Sequence, residues 1–468
     1  MVRRVTRQAV DIRGYMAEMQ RRGELLAVER PVSTRFEIAG VTARADGGPA
    51  LLFENVRGSR FRLVSNLVGT RSRFAAAIGA KSAGLIHDTV TSAILQARAP
   101  KILEGAGAFA ENSTRDIGEL PVVTHFEKEP GPFVTSSVVH ARDPDTGIQN
   151  SSFHRLMPLE GSSRTRCSVR MVEGRHLHRC FVAAKERGED LRVAVTVGVH
   201  PAVSIAGAYQ AEWGRDEMHI ANSLLGNKLE LARLEWSGLC VPSGSEIVME
   251  GRILRDVTHR EWMVEMLQTY DHKRRQPVFE LERMYYRNDP IFHDVLSGYA
   301  EHRLLMGMPI ESKLDGELRA TFPQVRRVSL TRGGCNWLHA VVQISKRRSD
   351  DPRRVISKTF EAHRSLKQVT VVDEDIDPDS AEAVEYAMAT RFQADKDLHV
   401  VRNVRGSSLD PSSDQKNLRT AKMGVDATRP RSRRPEGFEI ARIPGIEKFG
   451  LEGYVEGELP GGESQKDL

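Results

Sequence analysis

The chain has 468 residues, 40% hydrophobic and 28% charged, with 68 basic against 63 acidic side chains. This is the composition of a soluble globular protein, long enough for two or three domains and for a core that needs no covalent staples. The net charge of +5 gives no argument for a nucleic-acid partner and suits anionic small ligands equally well. The cysteines, Cys167, Cys180, Cys240 and Cys335, are widely spaced with no CxxC. That argues against a disulfide framework or zinc knuckle and for reduced thiols in a cytoplasmic protein. The basic start, Met1 to Gln8, is followed by no apolar signal-peptide region, and no run approaches the ~18 apolar residues of a membrane span.

Asp11 to Arg22 reads as a helix, N-capped by Asp11, with Ile12, Tyr15, Met16 and Met19 at helical spacing and Gly23 as its stop. Glu24–Val32, Ala50–Gly58 and Phe61–Val68 read as strands or strand-then-turn, and Arg71–Ile78 as a helix. Residues 1–115 thus form an N-terminal α/β region. From Leu120 the chain becomes β-rich, with strands at Phe133–Ala141, Gln149–Leu156, Cys167–Val172, Leu191–Val199, Leu239–Ile253 and Pro277–Tyr286. One helix is expected, at Arg175–Glu189. Dense short strands with turns predict a barrel or sandwich over 116–295.

Phe292–Gly307 reads as a helix. Strands at Val328–Thr331 and Leu338–Ser345, a charged loop Lys346–Arg354, a helix Ser357–Ser365, a buried strand Gln368–Asp373 and a helix Ser380–Arg391 follow. The last helix turns Val384, Ala387 and Met388 inward. Alternating β and α elements make 305–428 a second α/β domain. Order becomes doubtful after Leu409, and 429–468 reads as a charged, proline-broken tail.

The hairpin Gly131–Arg155 carries the most chemistry. Two β-rich runs flank the turn Asp143-Pro-Asp-Thr-Gly147. Strand alternation puts Asn150, Ser152 and His154 on one face and Ser151, Phe153 and Arg155 on the other. An ordinary surface hairpin has the same pattern. Asn150, His176 and Glu235 lie near predicted strand ends, and a hard divalent ion accepts such a mixed N/O set. In Arg175-His-Leu-His178 either imidazole can face inward, and Glu235 has a structural ion pair as its alternative role. Lys346 is a candidate contact to a cofactor phosphate or a carboxylate, with a merely solvated lysine as the alternative.

These landmarks resemble, in order, the UbiD-type decarboxylases that use prenylated FMN. The resemblance rests on Gly23-Glu-Leu-Leu26, Pro49–Gly58, Asn66, the hairpin with Asn150 and Arg155 five residues on, and Val197–Ala202. It continues through Val371-Val-Asp-Glu-Asp-Ile-Asp377 with Ala387–Arg391, Leu409–Ser412 and Lys422–Thr428. The family fold it implies is an α/β N-terminal region, a split β-barrel of the flavin-reductase type, and a C-terminal α/β oligomerisation domain. It also implies Mn²⁺ held by Asn150, His176 and Glu235, with K⁺ as a further ion. The implied cofactor contacts are Ser152, Phe153, His154, Arg155, Arg175, His176 and Pro201, together with Lys346. Arg155 would grip a substrate carboxylate and Glu265 would deliver a proton.

One region departs from the family. The usual Glu-Gly-Pro-Phe is missing from Thr258–Asp271, and aligning back from Thr269-Tyr-Asp271 puts the acid on Glu265. The first family Glu then falls on Arg260 or Glu261. This segment also fits an amphipathic helix with Trp262, Met263 and Met266 inward. The implied activity is reversible, non-oxidative decarboxylation of an aromatic, heteroaromatic or α,β-unsaturated acid. A flavin prenyltransferase would supply the cofactor, and the chain would form a homodimer or higher even oligomer. The alternatives are an FMN oxidoreductase or a flavin-binding, non-catalytic subunit of a multi-component carboxylase.

Overall fold

The computed structural model describes residues 9–161, 164–441, 443–449 and 454. Residues 1–8, and most of the predicted tail beyond 449, lie outside these. The chain is a mixed α/β protein that divides into two compact units, 1–316 and 317–468.

The first unit opens with the predicted helix, Ile12–Arg21, which Asp11 caps by accepting from the Gly14 N–H at 2.9 Å. Its apolar stripe, Ile12, Tyr15, Met16 and Met19, is buried. Strands Leu25–Val28, Ala50–Phe53, Arg62–Ser65 and Ile291–Asp294 form a four-stranded sheet in that order. The last strand corrects the helix expected over Phe292–Gly307, which begins only at Ala300. Ile291–Asp294 runs parallel to Arg62–Ser65 and all four residues are buried. A strand covered on both faces loses the alternation that would betray it. Helices Glu37–Arg44 and Ile86–Leu95 had no expectation at all.

The β-rich middle forms an eight-stranded sheet. Its path runs Gln149–Phe153, Val138–Arg142, Leu191–Val197, Ile247–Glu261, Arg274–Tyr286, Arg166–Val169, Leu156–Pro158, with Asn112–Thr114 beside Arg274–Tyr286. The two end strands are separated in sequence by only His154 and Arg155. A flat path of seven strands would be ~29 Å wide, whereas three peptide steps reach ~11 Å. The sheet must therefore curl, and Leu156 of one end strand is met by Val134, which leads into Val138–Arg142, through backbone hydrogen bonds of 2.8 and 3.0 Å. Arg155 sits at that junction. Gly251 marks a register shift between two long strands, where a Cβ would stand 2.2 Å from the Glu280 carbonyl oxygen.

In the second unit five strands lie in the order Val325–Leu330, His339–Ile344, Gln368–Asp373, Arg419–Ala427, Leu398–Arg405. The expected doubtful order after Leu409 is corrected by Arg419–Ala427, which is an interior strand. Here Gly424 makes room for the Ile356 side chain, which a Cβ would approach to 2.3 Å. The helix expected from Ser357 begins at Asp351, with Pro352 in its first turn. Val384 and Ala387 are buried on Ala381–Arg391, as their spacing predicts.

Candidate active site

Two clusters lie in the first unit, one on each side of the hairpin's end. The first is built on the face predicted for Asn150, Ser152 and His154. The Ser152 hydroxyl, with one proton to give, lies 3.1 Å from Asn150 Oδ1 and 2.8 Å from His154 Nε2. His154 Nδ1 donates to the Arg170 carbonyl at 2.8 Å, so its Nε2 faces Ser152 as an acceptor. Burial pushes the His154 imidazole down to about 4, so it is neutral at ordinary pH.

Two helices begin beside Asn150. His176 opens His176–Glu186, and Glu217 opens Glu217–Leu224. The Asn150 amide nitrogen lies 2.9 and 3.0 Å from the Glu217 carboxylate oxygens and 3.2 Å from His176 Nδ1. The Ser151 N–H donates to Glu217 at 2.8 Å, and His176 Nδ1 is 3.6 Å from the same carboxylate. Glu217 is 1% exposed. Among the described residues no Arg or Lys pairs with it. A buried carboxylate demands compensation, and here only the helix N-terminus, neutral donors and an imidazole provide it.

This geometry corrects one predicted residue. Glu235 is exposed, in the turn joining Glu230–Arg233 to Cys240–Pro242, and has no polar contact with Asn150 or His176. Glu217 stands where Glu235 was expected. Its one local trace is an acid at a helix start, Asp216-Glu217, ahead of the apolar positions Met218, Ile220, Ala221 and Leu224, which marks a helix but not a ligand. Of the two candidate imidazoles, His176 faces Asn150, whereas His178 Nδ1 accepts from the Gly174 N–H at 3.4 Å.

Arg175 precedes the first helix, and its side chain bonds to Gln210. Burial lowers its pKa, and no carboxylate among the described residues offsets that. Pro201 is the first residue of the wholly buried helix Pro201–Ala208, which His200 caps through Nδ1 at 3.1 Å from the Ala202 N–H. Phe153 packs, half-buried, against the core beneath. Lys346 belongs to the second unit. It is not merely solvated but half-buried, bonded to Thr428 Oγ1 at 2.7 Å and to Asp426 at 3.4 Å.

The second cluster surrounds Arg155. Its Nε and Nη2 fork onto the two Glu261 oxygens, each at 3.1 Å, and its Nη1 donates to Glu265 at 2.6 Å. Asp271 is 3.6 Å from Nη2. Burial works against the guanidinium's charge, but the carboxylates of Glu265 and Glu261 outweigh it and raise its pKa. Of the two residues left open, Arg260 is exposed and Glu261 is buried against Arg155. The amphipathic helix does not form. Strand Ile247–Glu261 runs into a turn closed by Glu265 N–H to Thr269 O at 2.9 Å, and Val264 bridges Tyr270. His302, a residue the sequence did not mark, lies within the electrostatic reach of Glu265 and Arg155. Its Nδ1 accepts from the Gly298 N–H at 3.0 Å, which leaves the proton of a neutral ring on Nε2. Burial takes its pKa down to about 4, against the pull of the Glu265 carboxylate.

The fold is that of the UbiD-class enzymes. The structure of HmfF from Pelotomaculum thermopropionicum in complex with FMN matches at TM-score 0.90 and 35% identity, covering 95% of this chain and all of that one. An evolved dimeric form of the same enzyme, in complex with prFMN, matches at TM-score 0.88 and 33% identity over 96% of this chain and 100% of that one. The models of the N-terminal, Rift-related and C-terminal domains of 3-octaprenyl-4-hydroxybenzoate carboxy-lyase match residues 16–92, 101–300 and 303–427. The chain belongs to this UbiD family of decarboxylases. Among its relatives, the anhydromevalonate phosphate decarboxylase of Methanothermobacter thermautotrophicus is 41% identical over 87% of this chain and 94% of its own. That of Aeropyrum pernix is 38% identical over 90% of this chain and 93% of its own.

Proposed function

We propose that this chain decarboxylates a phosphorylated α,β-unsaturated acid of the anhydromevalonate phosphate kind, using prenylated FMN and Mn²⁺. The substrate class rests on kinship with the two anhydromevalonate phosphate decarboxylases. The observation that carries the chemistry is the part-buried arginine, Arg155, held between Glu261 and Glu265.

Losing CO₂ from an sp² carbon leaves a carbanion that no side chain can stabilise, and the flavin supplies that electron sink. Asn150, His176 and Glu217 fit a divalent cation. Turning the Asn150 amide about its own plane would offer Oδ1 beside one imidazole nitrogen and a buried carboxylate that lacks a cationic partner. Arg175, with its uncompensated charge, suits the cofactor phosphate. Arg155 presents a planar fork to the substrate carboxylate, a geometry Lys does not reproduce. Glu265, a carboxylate against Nη1 and partly open to solvent, would take a proton from water and deliver it to the carbon that carried CO₂. Glu261 keeps the guanidinium in plane. In the same reading the protein is cytoplasmic, takes its cofactor from a flavin prenyltransferase, and assembles as a homodimer or higher even oligomer.

The test uses the chain co-produced with a flavin prenyltransferase and supplied with Mn²⁺. It is offered anhydromevalonate phosphate and, separately, 3,4-dihydroxybenzoic acid, and CO₂ release is followed. Release from the phosphorylated acid alone is expected. Turnover of the aromatic acid only, or full cofactor loading with no turnover of either, would overturn the proposal.

A further inference from the structure

Glu265 sits on a turn that lacks the family's Gly-Pro-Phe, so something else must hold it. The turn's own backbone supplies Glu265 N–H to Thr269 O and Gln268 N–H to Glu265 O, both 2.9 Å. Three further bonds come from one neighbouring segment, residues 125–129. Glu129 Oε1 accepts from the N–H of Val264, the residue before the acid, at 3.4 Å. The Trp262 indole N–H donates to the Lys128 carbonyl at 2.6 Å, and the Tyr270 hydroxyl accepts from the Lys128 N–H at 3.2 Å. The clamp thus grips the turn before, beside and after Glu265.

Glu129 is itself fixed. Its side chain is fully buried, and Oε2 accepts from the N–H groups of His125 and Phe126 at 3.3 and 3.2 Å. The His125 ring, also fully buried, lies 3.9 Å from Glu129 and bonds to Asp294 at 3.0 Å. Asp294 accepts from Thr135 at 3.1 Å, and Thr135 accepts from the Val295 N–H at 2.9 Å. The turn is therefore riveted through Glu129 and His125 to the strand Ile291–Asp294.

We propose that Glu129, with Trp262, is a positioning residue that sets the orientation of Glu265 toward the substrate, in place of the missing Gly-Pro-Phe turn. This rests on the role given to Glu265 above. Glu129 has three N–H donors on its two oxygens. Glutamine has only one acceptor oxygen, so Glu129→Gln must abandon either Val264 or the pair His125 and Phe126. Trp262→Phe removes one bond at the partly exposed edge and tests the same clamp with little risk to folding.

The test compares wild type, E129Q, W262F and E265Q, all loaded with cofactor. Expected for E129Q is a 10- to 100-fold fall in kcat with KM within threefold, and for W262F a smaller fall of the same kind. Proton delivery then limits turnover, so the solvent deuterium isotope effect on kcat rises in both. In parallel, amide exchange across 262–270 in the same proteins should quicken in E129Q and W262F without quickening elsewhere. Unchanged exchange in both variants, or faster exchange with unchanged kcat and isotope effect, overturns the proposal. If E265Q turns over as wild type, the role of Glu265 itself fails. The exchange arm still decides whether the clamp exists.

Discussion

Replacing Glu217 should separate the two candidate carboxylates at the cation site. In the metal-free chain the Glu217 carboxylate is 1% exposed and has no Lys or Arg partner among the described residues, so removing its charge costs little or even stabilises. Glu217→Gln keeps the shape and one acceptor for Asn150 or Ser151. With Mn²⁺ present the sign reverses. A cation at 100 times its Kd stabilises the native state by about 2.7 kcal/mol, and that gain requires the anionic ligand. Changes in outer-shell partners alone cost metal sites ~10–100-fold in affinity, so losing a direct carboxylate should cost at least as much. Bound Mn²⁺ per chain after dialysis, with denaturation midpoints measured with and without the ion, checks both signs. Glu217→Gln should lose the ion and its stabilisation, whereas Glu235→Gln, on an exposed turn, should behave as wild type. Retention of Mn²⁺ by the Glu217 variant, or its loss from the Glu235 variant, would refute the geometry.

Arg155→Ala should abolish decarboxylation and cost about 3–5 kcal/mol of stability, because Glu261 and Glu265 lose their common partner in a buried place. A variant as stable as wild type in urea would contradict this. Arg155→Lys should recover stability better than activity, since the fork is lost. The His125 imidazole has its pKa raised, burial opposing and the Asp294 carboxylate prevailing. Its stabilisation is therefore complete below ~6.5 and lost as pH rises through the higher folded value. Asp294→Asn should flatten that alkaline decline. His140, bonded to Ser151 and Thr196, is pushed down to about 3 by burial and stays neutral in the fold. Its contribution holds above ~6.5 and is lost on acidification, roughly 2 kcal/mol by pH 5; an unchanged acid slope in His140→Gln would count against it. Gly251→Ala should destabilise by ~1–3 kcal/mol through the clash with the Glu280 carbonyl, read as a lower urea midpoint.

The elements legible in the sequence were those whose signal is local. The Asp11 cap and the stripe Ile12–Met19 define their helix without help. Alternation alone put Asn150, Ser152 and His154 on one face, and the structure links them through Ser152. Motif order along the chain reached the family, because it reflects many local turns and strand ends at once. What needed the tertiary structure was anything decided by distant partners. Ile291–Asp294 is a strand only because Arg62–Ser65 lies beside it, and Arg419–Ala427 is interior only because two strands flank it.

The site divides the same way. Asn150, His176 and Arg155 came from the family resemblance of the hairpin and the helix after it, and Asn150 and His176 lie side by side. Glu217 could not be named, since an acid at a helix start looks the same whether it meets solvent or Asn150. The choice of Glu261 over Arg260 turned on which of the two meets Arg155, a point the absent Gly-Pro-Phe left unfixed. Sequence determines residue types and local periodicities. Which of several equivalent acids loses its water and meets an arginine, an amide or an imidazole is decided only when distant strands and helices come together around Asn150 and Arg155.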